Sequence, residues 1–150
     1  MEELHNKENN SKLEDLEKII EGFSELLTAE NQALREFDVD KVSAMYDQKA
    51  KIVSAYRTMS AYFIKNQQLL EEISPEQKLK LRQQSQQLDS LLKENELLLK
   101  TRMQASKQVM DTIINIAKVT NNNNATSYGA QGRYSPLDNN KNALALNRTL

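Results

Sequence analysis

Side chains able to do chemistry are sparse in this sequence. His5 is the single histidine and cysteine is absent, so thiolate catalysis, disulfides and zinc-thiolate sites are all excluded. Acid–base catalysis needs a titratable group held beside its reaction partner, whereas His5 lies in the polar, aperiodic stretch Met1 to Asn10. Of the three glycines, Gly129 and Gly132 follow no strand and open no helix, and Gly22 stands alone, so no phosphate-cradling loop is present. The paired carboxylates Glu71 and Glu72, and Glu94 and Glu96, fall on helix faces predicted to be solvated, and no His and carboxylate cluster has metal-ligand spacing. Tyr46, Tyr56, Tyr62 and Phe63 lie on or beside an apolar stripe, where core packing is the simpler role than base stacking. The expectation is a protein that is not an enzyme and holds no metal and no cofactor. Two features remain: a lone charge pair, Glu30 and Lys49, inside an apolar pattern, and an apolar face near the end of a long helix. Both belong to the chemistry of association.

The elements that carry them follow from composition. Among 150 residues, leucine supplies 20, while glycine and proline together supply only 5. That is too few turn-formers for a sandwich, a barrel or a chain of βαβ units, and it predicts an all-α fold. Lys and Arg number 20 against 21 Asp and Glu, a net charge of -1 that offers no electrostatic footprint for nucleic acid. No apolar run approaches the roughly 18 to 20 residues of a membrane span, and Met1 to Lys12 has no signal-peptide core. A cytoplasmic chain without membrane insertion is expected.

Composition divides the chain into a flexible arm over 1–10, a three-helix domain over 11–120 and a flexible C-terminal tail over 121–150. In the first helix, about 11–37, Leu13, Leu16, Ile20, Phe23, Leu27, Leu34 and Phe37 recur at steps of three and four with one slot skipped. Asp38 or Asp40 can cap the second helix, about 40–73, in which Val42, Met45, Ile52, Tyr56, Met59 and Phe63 keep the same rhythm. Ser74, Pro75 and Gln77 form the clearest helix start, with Pro75 at the first helical position where its missing N–H is not needed. The third helix then runs over 75–120, with no glycine or proline after Pro75. Asn121 to Asn124, followed by Gly129, Gly132 and Pro136, ends it. The tail carries Arg133, Lys141 and Arg148 against Asp138, and only Leu144, Leu146 and Leu150 suggest a short docking element.

Facing residues of an antiparallel hairpin have a constant sum of residue numbers, and that sum is 79 for the pairs from Leu16 with Phe63 to Phe37 with Val42. The skipped slots, Glu30 and Lys49, obey the same sum. They are expected to form a structural ion pair in one layer of an antiparallel, coiled-coil-like hairpin; the competing reading lets both long side chains reach water. Extended to the third helix, the register sets Ser85 near Phe63, Leu92 near Tyr56, Leu99 near Lys49 and Ser106 near Val42. Beyond that point Val109, Met110, Ile113, Ile114, Ile116 and Val119 project past the hairpin as a candidate partner-binding face. A bend in the third helix, or a longer hairpin contact, would hide them.

These parts together resemble a known family. Leu26 to Leu34 with Glu30 ahead of Ala33 and Leu34, the acidic turn Phe37 to Asp40, Lys49 on the next helix, Asn95 on the third, and Tyr128 to Gly132 after it are similar in order and spacing to the flagellar hook-associated-protein export chaperones of the FlgN-like family. The similarity covers most of residues 13–132. Asn95 lacks the Asn-Gly that follows in the family, and the asparagine-rich linker and last 18 residues have no counterpart. The resemblance implies a cytoplasmic chaperone that binds the termini of hook-filament junction proteins, prevents their premature assembly and delivers them to the flagellar type III export gate. It implies a client site in the last third of the third helix and gate docking through Tyr128. The alternative is a structural coiled-coil scaffold that self-associates through the third helix; for the chaperone, the client-free state is left open between monomer and homodimer.

Overall fold

The computed structural model describes residues 1–120. Five helices follow one another: α1 Glu2–Arg35, α2 Val39–Ala44, α3 Tyr46–Lys65, α4 Gln67–Glu71 and α5 Pro75–Thr120. No strand occurs among the described residues. The protein is all-α, a helical hairpin with a long third helix laid along it.

Side-chain contacts set the directions. Phe23 meets Tyr56 with ring centroids 5.7 Å apart, while Lys12 sits over the Tyr62 ring, so α3 runs antiparallel to α1. Glu17 pairs with Lys80, Asn31 with Asn95, and Leu34 with Arg102, so α5 runs parallel to α1 and packs chiefly on it. The core between them holds Leu13, Leu16, Ile20, Phe23 and Leu27 from α1, Val53, Tyr56 and Phe63 from α3, and Leu81, Leu88 and Leu92 from α5. Removing such side chains from water, at roughly 1.5 to 3 kcal/mol each, is what makes the three stripes coalesce. Gly22 lies close against α3, since a Cβ there would stand 3.2 Å from Ile52 Cδ1.

Four sequence expectations are corrected. Residues 2–10 are not an arm but the first turns of α1. No helix breaker separates them from the seam, Glu2 and Glu3 complement the positive end of the helix dipole, and Glu8 pairs with Lys12 at 3.2 Å. The second helix, expected unbroken, is three segments. At Asn66 the side-chain amide donates to the Tyr62 carbonyl at 2.8 Å, alongside the backbone N–H on the same oxygen, and φ and ψ leave the helical region. An asparagine side chain that competes for the i−4 carbonyl ends a helix in this way. A tight turn through Met45 makes the other break. Third, α4 and the bend after it take up chain that the expected register did not include, so Lys49 faces Asn95 instead of Leu99, one turn earlier on α5. The fourth concerns Phe37, which leaves the seam and lies 67% exposed.

Local chemistry at the other boundaries is as expected. Asp38 caps α2 by accepting from Lys41 N at 3.1 Å. Ser74 accepts from Gln77 N at 3.2 Å, and its hydroxyl donates to Gln77 Oε1.

Burial of Tyr56 has a measurable consequence. Its phenol is pushed up to about 12, first by burial and in part by the nearby Asp89 carboxylate. A phenol held above its unfolded value of about 10 contributes stability that is whole below pH 10 and is lost as pH rises toward 12. Unfolding free energy is therefore expected to decline across that window, and Tyr56→Phe to remove up to about 3 kcal/mol of the decline. An unchanged alkaline decline in urea titrations of the variant would assign the loss to other groups.

Candidate functional site

The charge pair and the apolar overhang belong to one continuous seam on α5. Leu81, Ser85, Leu88, Leu92 and Asn95 recur at alternating steps of four and three, and all five are buried. The same alternation continues through Leu99 and Arg102, both half-buried, into Ser106, Val109, Ile113, Ile116 and Thr120, all exposed. One face of one straight heptad is therefore covered for half its length and open for the rest.

The last fully covered layer is polar. Lys49 Nζ donates to Glu30 Oε1 at 2.9 Å and to Asn95 Oδ1 at 3.0 Å. Asn95 Nδ2 donates to Asn31 Oδ1 at 2.8 Å, and Asn31 Nδ2 reaches the Leu91 carbonyl at 3.3 Å and Glu94 Oε2 at 3.4 Å. Glu94 in turn pairs with Arg35. The Glu30 and Lys49 side chains are 4% and 14% exposed, so neither reaches freely into water. Together these contacts tie all three long helices, α3 to α1, α3 to α5 and α1 to α5, and a shift of any helix by one turn would break several at once. In a seam of otherwise apolar layers, such a layer sets register. Asn31 was not legible as a partner, because its position reads as an ordinary neighbour of the seam.

Above this layer α1 ends. Asp38 N bonds the Ala33 carbonyl at 2.9 Å and Phe37 N the Leu34 carbonyl at 3.4 Å, a Schellman closure with Phe37 as its left-handed residue, φ 60°. Glycine is the usual occupant, and a side chain there costs about 1 to 2 kcal/mol. Arg102 holds the turn from α5. Its Nε donates to the Leu34 carbonyl at 2.8 Å, an Nη to the Arg35 carbonyl at 3.2 Å, and its guanidinium stacks 3.4 Å from the Phe37 ring centroid. A cation at the negative end of α1 that also satisfies its orphan carbonyls is doubly favourable. Neither role is legible in the sequence: spacing assigns Phe37 to the seam, and Arg102 looks like any surface arginine.

Between this turn, α2 and α5 lies an open groove of about 500 Å³. Phe37, Val39 and Val42 form one wall and Val109, Met110 and Ile113 the other. Of the six residues expected at the partner face, Val109, Met110 and Ile113 line the groove, and Ile116 stands one layer further along the seam. Val109, Met110, Ile113 and Ile116 are each more than half exposed. Helical geometry turns Ile114, half-buried, and Val119, exposed, to opposite flanks of that line. Tyr128 lies outside the described residues. Among the described residues no group of His, Cys, Asp or Glu could hold a metal ion, and no helix is long and apolar enough to cross a membrane. No family model, curated protein or solved structure matches this chain.

Proposed function

We propose that this protein is a flagellar type III export chaperone of the FlgN-like kind. It holds a helical terminus of a hook-associated, hook-filament junction protein in the cytoplasm, prevents its premature assembly, and delivers it to the export gate. The observation that carries this reading is the α5 seam, whose last five layers, Ser106 to Thr120, stand exposed beside an apolar groove. A client helix laid there would bury surface that water otherwise meets, and would itself be kept from assembling. Val109, Met110, Ile113 and Ile116 supply the contact, with Ile114 and Val119 at its edges. Tyr128, past the end of α5, is the residue proposed to dock the loaded chaperone at the gate.

The test is complex formation between the full chain and the terminal segments of hook-filament junction proteins, followed by size-exclusion chromatography with light scattering. A 1:1 complex is expected, with Tyr128→Ala binding the client as well as the parent chain but failing to support its secretion. The second reading, a scaffold that self-associates through α5, draws on the same exposed stripe. A stable dimer that ignores every junction segment would establish it in place of the chaperone.

A further inference from the structure

We infer that Phe37, clasped by Arg102, is the end wall of the partner site, and that the occupant is a coiled-coil-type helix of about 18 residues from another protein, lying where α1 would continue. This rests on the reading that the open end of α5 is the binding face. Continuity with the α1 interface identifies the occupant. Below Arg102 the α5 seam is covered by α1; above it the same seam proceeds at unchanged spacing through Ser106, Val109, Ile113, Ile116 and Thr120, while α1 has ended at Arg35. A seam with a 3.5-residue repeat accepts a helix with that repeat, and five layers require about 18 residues, or about 26 Å of helix.

The fold alone accounts for Phe37 only in part, through the Arg102 guanidinium that covers one face of its ring. It takes a left-handed conformation that glycine would adopt without strain, and it presents a largely exposed ring. Both features are unfavourable in the free protein; a partner packed on the ring would cover the exposed surface and offset the backbone strain. One face of the ring is covered by the Arg102 guanidinium, and the ring also helps line the groove. A large aliphatic or aromatic side chain in the turn of the occupant nearest Phe37 would pack there. Charge plays little part in recognition. Asp38 and Arg102 are the charged residues lining the groove, and both are engaged internally, Asp38 by Lys41 N and Arg102 by the carbonyls that end α1.

The experiment compares the full chain with Phe37→Gly and, separately, Ile113→Asp, by fluorescence anisotropy with labelled terminal-helix peptides of hook-filament junction proteins. Phe37→Gly should keep or raise the melting temperature and weaken peptide binding by about 10- to 100-fold, with little change in affinity between low and high salt for the parent chain. If Phe37→Gly binds as the parent does while Ile113→Asp does not, the groove reading stands and the role of Phe37 is overturned. If neither substitution matters, or no peptide binds the parent, the groove reading falls and this inference with it. A melting temperature lowered by several degrees in Phe37→Gly would make the ring structural and overturn the inference. Conversion of a dimer to a monomer by that variant would also overturn it, by naming a second copy of this chain as the occupant.

Discussion

A chain carrying Ile113→Asp and Ile116→Asp is expected to fold with an unchanged melting temperature and to lose at least a thousandfold in affinity for the client helix proposed above. Both side chains are more than half exposed, 56% and 58%, so the folded protein relies little on them. In a complex each would be enclosed, and burying an isoleucine contributes roughly 1.5 to 3 kcal/mol. Replacing it by a carboxylate removes that contribution and adds the penalty of taking a charge out of water. Two such losses exceed the roughly 4 kcal/mol that a thousandfold corresponds to. Circular dichroism melts and anisotropy titrations on one preparation decide the matter. Unfolding of the double variant would place these residues in the bundle core, and undiminished binding would move the site off α5.

The second large effect is expected in the polar layer. Lys49→Met leaves the Glu30 carboxylate buried without its cation and Asn95 Oδ1 without its donor. Stranding one member of a buried pair costs about 3 to 5 kcal/mol. Adding Glu30→Leu removes the stranded charge, so the double variant should recover about 2 kcal/mol of that loss and retain a deficit of about 1 to 3 kcal/mol for the unsatisfied amide. Urea unfolding of the four proteins of this cycle measures the coupling. Losses that simply add would mean that Glu30 and Lys49 do not interact in solution.

Much of the site could be read from the chain because hydrophobic spacing survives without coordinates. The antiparallel sum of 79 pairs Phe23 with Tyr56 and Glu30 with Lys49, and in the structure the first two pack ring against ring at a tilt while the second two hydrogen-bond. The start of α5 was equally legible, since Ser74, Pro75 and Gln77 act over a single turn and need no distant partner. The break at Asn66 was not legible. Asparagine in a helix either points to solvent or takes the i−4 carbonyl; here it takes the carbonyl, and the helix restarts as α4, which buries Leu69 and Leu70.

Sequence by itself therefore determined the all-α class, the apolar stripes of the three long helices, the hairpin pairing and the local signal that opens α5. Each depends on periodicity or on a hydrogen bond within one turn. Tertiary structure alone decided where α1 ends against α5, the one-turn shift that brings Asn95 to Lys49, and the turn in which Arg102 holds Phe37 out of the seam. Those outcomes join residues more than 45 positions apart, and the length and bend of the intervening chain fix which residues meet. A repeat of 3.5 residues specifies a face but leaves open which of several one-turn offsets two faces adopt, and here a buried layer of Glu30, Asn31, Lys49 and Asn95 selects one of them.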